Sequence, residues 1–393
     1  MAECVVVTGA TGFLGSHLIA RLLSTFGDVT VLCVARSVGA VTAHQRVLQT
    51  VTAAWSTECD YDPRAAREAI AARLRVIDHG ITEDSGPLAA EIRSASQCPS
   101  VSAFWHCAAM TNFVNPNEET LEAINIHGTV TAFRAASACG AERFNHVSTA
   151  YVAGRRQGDQ PEALLFRHCD FNNKYEETKH VAEALVASMA EATGTPYRIF
   201  RPGVVIGNSR TYRAAKYSGI YDVIRVAESV GHRLHREASI GRRPATLRIA
   251  ASRNATVHLV PVEIAVEEMM WHDAQGPSRL GSVVHVCSED GTPVVELIEK
   301  LLPMCGVEDF SVGDECTPVS LADKLLEDRL LAFAPYIRNY KRFLRTVPAE
   351  RRNTKLSAPV TSEAMLEYAR VFIAQRESLV GSVGDRLSAG ASS

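Results

Sequence analysis

The stretch Cys4-Val5-Val6-Val7-Thr8-Gly9-Ala10-Thr11-Gly12-Phe13-Leu14-Gly15 joins a short β-branched run to the start of a helix. Leucine and isoleucine then recur at helical spacing over residues 14–23, and a second apolar run covers residues 29–34. Together these segments predict a βαβ unit. Glycines at such a turn let the backbone approach a pyrophosphate, and the free N–H groups of the helix N-terminus then face that anion. The stretch therefore predicts a dinucleotide-binding fold with Gly9, Gly12 and Gly15 in the phosphate loop.

Further apolar runs extend this pattern along the chain, at residues 74–77, 101–105, 143–147, 197–200 and 283–286, and helical stretches such as 119–138 and 175–192 separate most of them. Strands that alternate with helices predict an α/β fold with a doubly wound, mainly parallel Rossmann sheet. We expect residues 1–207 to form this nucleotide-binding domain, with residues 255–290 returning to it. Residues 208–254 and 291–393 are expected to form a smaller, mostly helical substrate-binding lobe, and the chain is predicted to be helical from Pro293 to its end.

Composition and charge exclude several classes of protein. The chain has 393 residues, 46% of them hydrophobic and 22% charged, so it can bury a core and is neither disordered nor collagenous. A net charge of -3 gives no reason to expect a nucleic-acid partner, although residues 210–253 carry +7 and leave -10 for the remainder. An acidic start and the lack of an apolar run of about 18 residues predict a cytoplasmic protein without a membrane span. The ten cysteines include no C-x-x-C pair, so we expect reduced thiols and no metal site.

The end of the second strand suggests which dinucleotide is bound. In this fold the residue at that point meets the adenosine ribose, where an acid suits a free 2'-hydroxyl and a cation suits a 2'-phosphate. The chain offers Arg36 there, and the next acid is Glu58. The sequence therefore favours NADPH over NADH, with Arg46 as a second candidate phosphate contact or else a residue of a solvated helix face.

A second candidate site combines Tyr175 and Lys179, which lie four residues apart and so share one face of a helix. Hydroxyls precede them at Ser148 and Thr149, directly after a predicted strand. A free tyrosine has a pKa near 10, and a neighbouring ammonium would lower that pKa towards the working pH. Acid–base chemistry at this site would therefore need both Tyr175 and Lys179.

Seven segments over about 200 residues occur in the order found in extended short-chain dehydrogenases/reductases. They are the Gly9–Gly15 loop, Arg36, His106-Cys107-Ala108-Ala109, Asn125-Ile126-His127-Gly128-Thr129, Ser148-Thr149-Ala150-Tyr151-Val152, Tyr175-x-x-x-Lys179 and Arg201-Pro202-Gly203. Thr149, together with the segment from Ala108 to Val114, resembles the branch that holds thioester reductase domains, carboxylic acid reductase termini and fatty acyl-CoA reductases, the male-sterility-type NAD-binding proteins.

This resemblance implies NADPH-dependent reduction of an acyl thioester, delivered as acyl-CoA or on an acyl carrier protein, to an aldehyde or alcohol. It implies a catalytic triad of Thr149, Tyr175 and Lys179, with Ser148 as the less suitable hydroxyl. It also implies a cofactor site formed by Gly9, Thr11, Gly12, Phe13, Leu14, Gly15, Arg36, Arg46, Ala108, Ala109, Asn125, Lys179, Pro202 and Val204. No adenylation or carrier domain accompanies these segments, so the substrate is expected to arrive in trans, and the oligomeric state is left open.

Three departures from the family pattern concern the adenine and substrate sides. His79-Gly80-Ile81 stands where the family has Gly-Asp-Leu, Thr111 replaces an apolar residue before Asn112, and Tyr212 replaces a glycine after Ser209-Arg210-Thr211. Two alternatives also stay open. One is an extended short-chain dehydrogenase/reductase that acts on a ketone, aldehyde or sugar nucleotide, and the other is a dinucleotide-sensing partner protein without enzymatic activity.

Overall fold

The computed structural model describes residues 3–96, 100–112, 116–165, 170–240, 246–276, 281–314, 316, 319, 321–347 and 354–390. Seven strands form one sheet in the order β3-β2-β1-β4-β5-β6-β7, and every neighbouring pair is parallel. They are β1 (Glu3–Thr8), β2 (Val29–Ala35), β3 (Leu74–Asp78), β4 (Val101–His106), β5 (Phe144–Val147), β6 (Tyr197–Pro202) and β7 (Ser282–Val286). This is the Rossmann strand order extended by one strand, and it confirms the predicted fold class.

Twelve helices accompany the sheet in the described part of the chain. They are α1 (Phe13–Thr25), α2 (Ala43–Trp55), α3 (Pro63–Arg73), α4 (Ser85–Ser96), α5 (Glu118–Glu122), α6 (Gly128–Ala138), α7 (Lys174–Thr193), α8 (Ile220–Ser239), α9 (Val262–Ala274), α10 (Val294–Met304), α11 (Leu321–Leu330) and α12 (Ser362–Gly390). A π-helical turn, Ala123–His127, joins α5 to α6. None of the helices in these ranges is long and apolar enough to cross a bilayer.

Alternate residues of each buried strand face opposite sides of the sheet, so helices cover both faces. On β1, Val5 and Val7 pack with α1, α2 and α9, whereas Cys4 and Val6 pack with α4, α6 and α7. The catalytic candidates lie at the carboxyl edge between these two layers, where the phosphate loop follows β1 and Thr149 follows β5. In such sheets ligands bind in the crevice at that edge.

A second core lies beside the sheet and is built mainly from α8, α10 and α12, with Tyr221, Met365 and Phe372 among its most buried members. Four pairs of short strands lie outside the main sheet: Val204–Ile206 with Leu259–Pro261, Thr256–Val257 with Thr292–Pro293, Leu247–Ala250 with Phe310–Gly313, and Gly158–Gln160 with Lys341–Phe343. The prediction of helix from Pro293 to the end is therefore wrong at Phe310–Gly313 and Lys341–Phe343. These runs of three or four residues are strands because distant segments supply their hydrogen-bond partners, and a local pattern does not carry that information.

Candidate functional site

The loop after β1 has the geometry of a pyrophosphate cradle. Gly9 has φ +71°, and an added Cβ would lie 2.5 Å from the Ala108 nitrogen. A Cβ on Gly15 would lie 2.4 Å from the Gly9 oxygen, so both positions need glycine. Gly12 precedes α1 without capping it through a side chain, and no acid occupies the first turn. The first N–H groups of α1 therefore remain available to an anion, and this loop fits the diphosphate of a dinucleotide.

Arg36 is exposed directly after β2, and Arg46 lies beside it. The Arg46 guanidinium donates a hydrogen bond to the Arg36 carbonyl oxygen, so the structure brings the two predicted phosphate contacts together. Asp78, at the end of β3, accepts hydrogen bonds from Ser37 N at 2.9 Å and Ser37 Oγ at 2.5 Å. Hydrogen bonding to Ser37 lowers the pKa of Asp78. Both oxygens of the Asp78 carboxylate are therefore engaged by Ser37, in the loop that carries Arg36.

Gly80 stands where the family pattern has an acid. The carboxylate of Glu83, three residues further along the chain, lies beside the Gly80 backbone. Glu83 Oε1 accepts a hydrogen bond from Gly80 N at 3.0 Å. A Cβ added to Gly80 would lie only 2.2 Å from the same oxygen. The Glu83 carboxylate thus lies beside Gly80, which the sequence spacing did not reveal.

The three catalytic candidates converge on one cavity of about 610 Å³, which the phosphate loop also lines. Thr149 follows β5, and its Oγ1 accepts a hydrogen bond from Tyr151 N at 3.2 Å. Tyr175 lies in the first turn of α7, which Asn173 caps by accepting a hydrogen bond from Glu176 N at 3.0 Å. The Thr149 hydroxyl also hydrogen-bonds Tyr175. This contact selects Thr149 as the partner of the phenol.

Ser148 lies beside that pair and also lines the cavity. It is buried, and its hydroxyl has no hydrogen-bond partner among the described residues. The sequence prediction preferred Thr149 to Ser148, and the contact between Thr149 and Tyr175 agrees with that preference. The Ser148 hydroxyl remains available to a group bound in the cavity.

Burial sets the protonation states of Tyr175 and Lys179. It raises the pKa of Tyr175 to about 12, against the opposing effect of the Thr149 hydrogen bond. It lowers the pKa of Lys179 to about 8, although the Glu183 carboxylate opposes this shift. Lys179 Nζ donates to the Val147 carbonyl at 2.8 Å and lies 3.3 Å from His146 Nε2. Tyr175 is thus a protonated hydrogen-bond donor at neutral pH, and Lys179 titrates close to that pH. The expectation that Lys179 lowers the pKa of Tyr175 is therefore wrong for the protein without cofactor, because burial dominates the shift and Lys179 is not among its causes.

Asn125 occupies the π-helical turn between α5 and α6 and is 1% exposed. Its Oδ1 accepts from Met110 N at 2.8 Å, and its Nδ2 donates to the Met110 carbonyl at 3.1 Å and to Thr178 Oγ1 at 3.0 Å. Both amide hydrogens are therefore engaged inside the protein. Asn125 holds the loop after β4 against α7, next to Lys179, so its effect on a cofactor would pass through Met110.

The remaining predicted cofactor residues divide between the cavity wall and the layer behind it. Phe13, Leu14, Ala109, Pro202 and Val204 line the cavity, whereas Ala108 packs against Gly9 and Thr11 lies part-buried in the loop. Phe113 and Val114, which carry part of the family resemblance, lie outside the described residues.

Two buried networks that the sequence analysis missed hold α7 in place. Glu183 forms a two-pronged ion pair with Arg201 on β6, at 2.9 and 2.6 Å, and both side chains are 2% exposed. Glu176 accepts hydrogen bonds from Asn172 and, at 2.7 Å, from the Tyr336 hydroxyl, which belongs to the turn after α11. Tyr336 also lines the cavity, so this contact ties the second core to the helix that carries Tyr175.

Comparison with known proteins agrees with this geometry. A model of an NAD-binding family described as male sterility protein matches residues 7–269, which is more than half of the chain. The chain belongs to this male sterility family. This assignment confirms the resemblance on which the triad was predicted, and it makes the chain an oxidoreductase that uses NAD or NADP.

Several relatives of the chain are large synthetases, of which it matches only a part. The chain is 28% identical to nonribosomal peptide synthetase asaC of Aspergillus flavus over 217 residues. This alignment covers 52% of the chain and 20% of the synthetase. It is 28% identical over 292 residues to the isonitrile lipopeptide synthase of Streptomyces coeruleorubidus, covering 74% of the chain and 19% of the synthase. The chain thus spans about a fifth of the length of these relatives.

A solved structure shares the fold over almost the whole chain. The terminal R domain of the myxalamid PKS-NRPS pathway superposes with a TM-score of 0.70 and 19% identity, covering 95% of this chain and 91% of that domain. The superposition therefore includes the second core as well as the Rossmann sheet.

Proposed function

We propose that the chain is an NADPH-dependent reductase that converts an acyl thioester, carried on CoA or on an acyl carrier protein, to an aldehyde or alcohol. The observation that carries this proposal is the cavity in which Thr149, Tyr175 and Lys179 meet the phosphate loop. The R-domain fold and the relatedness to peptide synthetases support a thioester substrate. A ketone or sugar-nucleotide oxidoreductase would share the fold and not the thioester chemistry.

The raised pKa of Tyr175 suits the role of hydrogen-bond donor to a substrate carbonyl oxygen. A phenol with a pKa of about 12 keeps its proton at neutral pH, so it donates a hydrogen bond to a developing oxyanion rather than abstracting a proton. Thr149 hydrogen-bonds this phenol and orients it. The Lys179 ammonium, which donates to the Val147 carbonyl, lines the same cavity and adds positive charge to it. These residues together stabilise negative charge on a substrate carbonyl oxygen.

The reduction balances with one cofactor for each two-electron step. When bound, NADPH would supply a hydride to the thioester carbonyl carbon, whose π electrons move to oxygen. Tyr175 and Thr149 hold that oxyanion until the C–O double bond re-forms and the C–S bond breaks. The thiolate leaves with its electron pair and takes a proton from solvent, which a thiol pKa near 8.5 makes easy. One NADPH and one proton thus convert the thioester to an aldehyde and a free thiol.

Arg36 and Arg46 support NADPH as the cofactor. They lie at the end of β2, where the adenosine ribose of a dinucleotide binds in this fold, and the nearby Asp78 carboxylate is held by Ser37. A guanidinium suits a 2'-phosphate because both groups are charged and can share two hydrogen bonds.

An arginine-rich groove supports delivery of the substrate by an acidic carrier. It measures about 590 Å³ and lies between α8, α11 and α12, where five arginines line it: Arg225, Arg233, Arg236, Arg329 and Arg376. Three of the five form ion pairs, Arg225 with Asp222, Arg233 with Glu237 and Arg376 with Glu228, so Arg236 and Arg329 carry most of the remaining charge. Charge of one sign on a surface speeds association with a partner of the opposite sign. Arg242 and Arg243, which belong to the same basic segment of the sequence, lie outside the described residues.

A product assay with a variant tests the proposed function. Purified protein is incubated with NADPH and an acyl thioester of pantetheine, and NADPH consumption and free thiol are measured together. Tyr175→Phe should remove nearly all turnover and leave NADPH binding within a few-fold, because the hydroxyl acts on charge that develops in the transition state. NADPH oxidation without thiol release, or wild-type kcat in Tyr175→Phe, would contradict the proposal.

A further inference from the structure

Two buried histidines, His106 on β4 and His146 on β5, lie on the face of the sheet that α7 covers. Phe104 and Phe144 belong to the core on that face, and each histidine follows one of them by two residues on the same strand. Side chains alternate between the faces of a strand, so both imidazoles share that face. They are paired directly across the two strands, and both are 0% exposed. Both lie behind the described cavity lining, which includes Lys179, so an effect on bound groups would pass through that lysine.

Hydrogen bonds fix the ring of His106. Thr129 on α6 donates its hydroxyl proton to the Asn125 carbonyl at 2.7 Å, so the Thr129 oxygen is left to accept from His106 Nε2, 3.1 Å away. Nε2 therefore carries the imidazole proton, and Nδ1 accepts from the Thr8 hydroxyl at 2.8 Å. Burial lowers the pKa of His106 to about 3, which disfavours a second proton. His106 is thus a neutral ring held in one orientation.

His146 stacks on this fixed ring and also contacts Lys179. The centroids of the two imidazoles are 5.4 Å apart, and their planes are 23° from parallel. His146 Nε2 lies 3.3 Å from Lys179 Nζ. An ammonium has N–H donors and no lone pair, so Nε2 is the acceptor and the imidazole proton belongs on Nδ1. His146 is therefore neutral while Lys179 is charged, and burial, together with that charge, holds the pKa of His146 well below its usual value.

The Val147 carbonyl provides a second contact to the same ammonium. It accepts from Lys179 Nζ at 2.8 Å, so two neighbouring residues of β5 take two of the three N–H bonds. Two fixed acceptors stop rotation about the Cε–Nζ bond and so set the direction of the third N–H bond. We propose that His146 is a positioning residue, which holds the Lys179 ammonium so that its third N–H bond is left for a cofactor bound in the cavity. The proposal rests on the proposed function, because Lys179 belongs to the cofactor site expected there.

The contact with His146 also supports the charge of Lys179. The titratable groups around this ammonium are Tyr175 and Glu183 on α7, Cys107 after β4, and His106 and His146 on the two strands. Of these described groups, His146 is the one that hydrogen-bonds Nζ. A neutral acceptor stabilises the ammonium more than the free amine, so it opposes the effect of burial. Loss of this acceptor should therefore lower the pKa of Lys179.

An NMR titration of lysine labelled with carbon-13 at Cε measures that pKa directly in the full chain. The Lys179 signal, identified by its loss in Lys179→Arg, should titrate with a pKa of about 8 in the wild type. His146→Phe keeps a flat ring against His106 and removes the acceptor. It should lower the pKa of Lys179 by about 1–2 pH units, the worth of a hydrogen bond to a charged group. His146→Gln should restore most of the pKa, because its amide oxygen can replace Nε2.

His272→Phe is the matched control, since it makes the same change at a buried histidine of α9, which packs on the opposite face of the sheet. It should leave the pKa of Lys179 unchanged. NADPH should bind several-fold more weakly to His146→Phe than to His146→Gln or wild type at pH 5.5, where the ammonium is largely charged in all three. A folded His146→Phe protein with the wild-type Lys179 pKa, or with wild-type NADPH affinity, would overturn the proposal.

A second measurement needs no folded His146 variant. Nitrogen-15 spectra of the histidine rings in the wild type should show His146 neutral and protonated at Nδ1 from pH 6 to 8, with its signal identified by the change that Lys179→Met causes. A proton on Nε2 instead, or a doubly protonated ring at pH 6, would overturn the proposal. None of these measurements uses an acyl substrate. The proposed function fails separately, if the wild type releases no thiol from an acyl thioester.

Discussion

The ion pair between Glu183 and Arg201 should hold the catalytic helix in place and support the charge of Lys179. Glu183→Gln keeps the shape of the side chain but leaves the Arg201 guanidinium buried, at 2% exposure, without its counter-charge. Removing one partner of a buried pair costs about 3–5 kcal/mol. For 393 residues that unfold cooperatively, an entropy of about 2.1 cal/mol/K per residue converts this loss into a drop in Tm of about 4–6 °C.

The same substitution should move the pH profile. Burial lowers the pKa of Lys179 to about 8, and the Glu183 carboxylate works against that shift. In the wild type, kcat/KM should fall as pH rises through about 8, because the ammonium loses its proton. In Glu183→Gln the pKa of Lys179 falls further, so this decline should begin at lower pH.

Thermal unfolding and a kcat/KM profile from pH 6 to 10 measure both effects. Glu191→Gln, an identical change at an exposed position of α7, should alter neither. The double variant Glu183→Leu with Arg201→Met should recover most of the stability, since well-packed apolar residues can replace a buried ion pair. A Glu183→Gln protein with wild-type Tm and an unmoved pH profile would refute the reasoning.

Three further predictions concern the cofactor, the contact between the cores and the carrier. Arg36→Ala should weaken NADPH binding by about 1.5–3 kcal/mol and NADH binding much less, and equal losses in fluorescence titrations would exclude a 2'-phosphate role. Burial raises the pKa of Glu176, so the stability that this carboxyl contributes should fall as pH rises from its unfolded pKa through the higher folded pKa. Thermal melts from pH 4 to 8 should show a flatter pH dependence in Glu176→Gln. Tyr336→Phe should lower Tm, because it removes a hydrogen-bond donor to the Glu176 carboxylate. Salt should lower kcat/KM for a carrier-loaded substrate and barely change kcat/KM for an acyl-pantetheine. The double variant Arg233→Glu with Arg236→Glu should show at low salt the kcat/KM that the wild type shows at high salt. Identical salt profiles for the two substrates would contradict a role of the groove in carrier binding.

Local pattern predicts the parts of the site that are continuous in sequence. The phosphate loop could be read from the β-branched run before Gly9 and the helical spacing after Gly15, because strand, turn and helix are adjacent. Tyr175 and Lys179 could be paired because they lie four residues apart on one helix. Glu183 continues that i, i+4 series, so the sequence carried a signal for its place on the same face of α7.

Contacts between distant segments could not be predicted in this way. Tyr336 reaches Glu176 across 160 residues of chain, and only the packing of the second core brings them together. The apolar faces of α8 and α10 each resemble an ordinary buried helix face. The close approach of the α8 backbone at Gly231 to Cys305, at the end of α10, is a property of the tertiary fold. The Glu83 carboxylate beside Gly80 likewise depends on the path of the loop after β3.

Isotope transfer tests the central claim most directly. The protein is incubated with octanoyl-pantetheine and NADPH that carries deuterium at the transferable position of the nicotinamide, and the product is analysed by mass spectrometry alongside a thiol assay. The account predicts octanal or octanol with deuterium at C1 and one free thiol for each acyl group reduced, and almost none of either from Tyr175→Phe. Deuterium transfer to a ketone or sugar-nucleotide substrate, with octanoyl-pantetheine left intact, would contradict it.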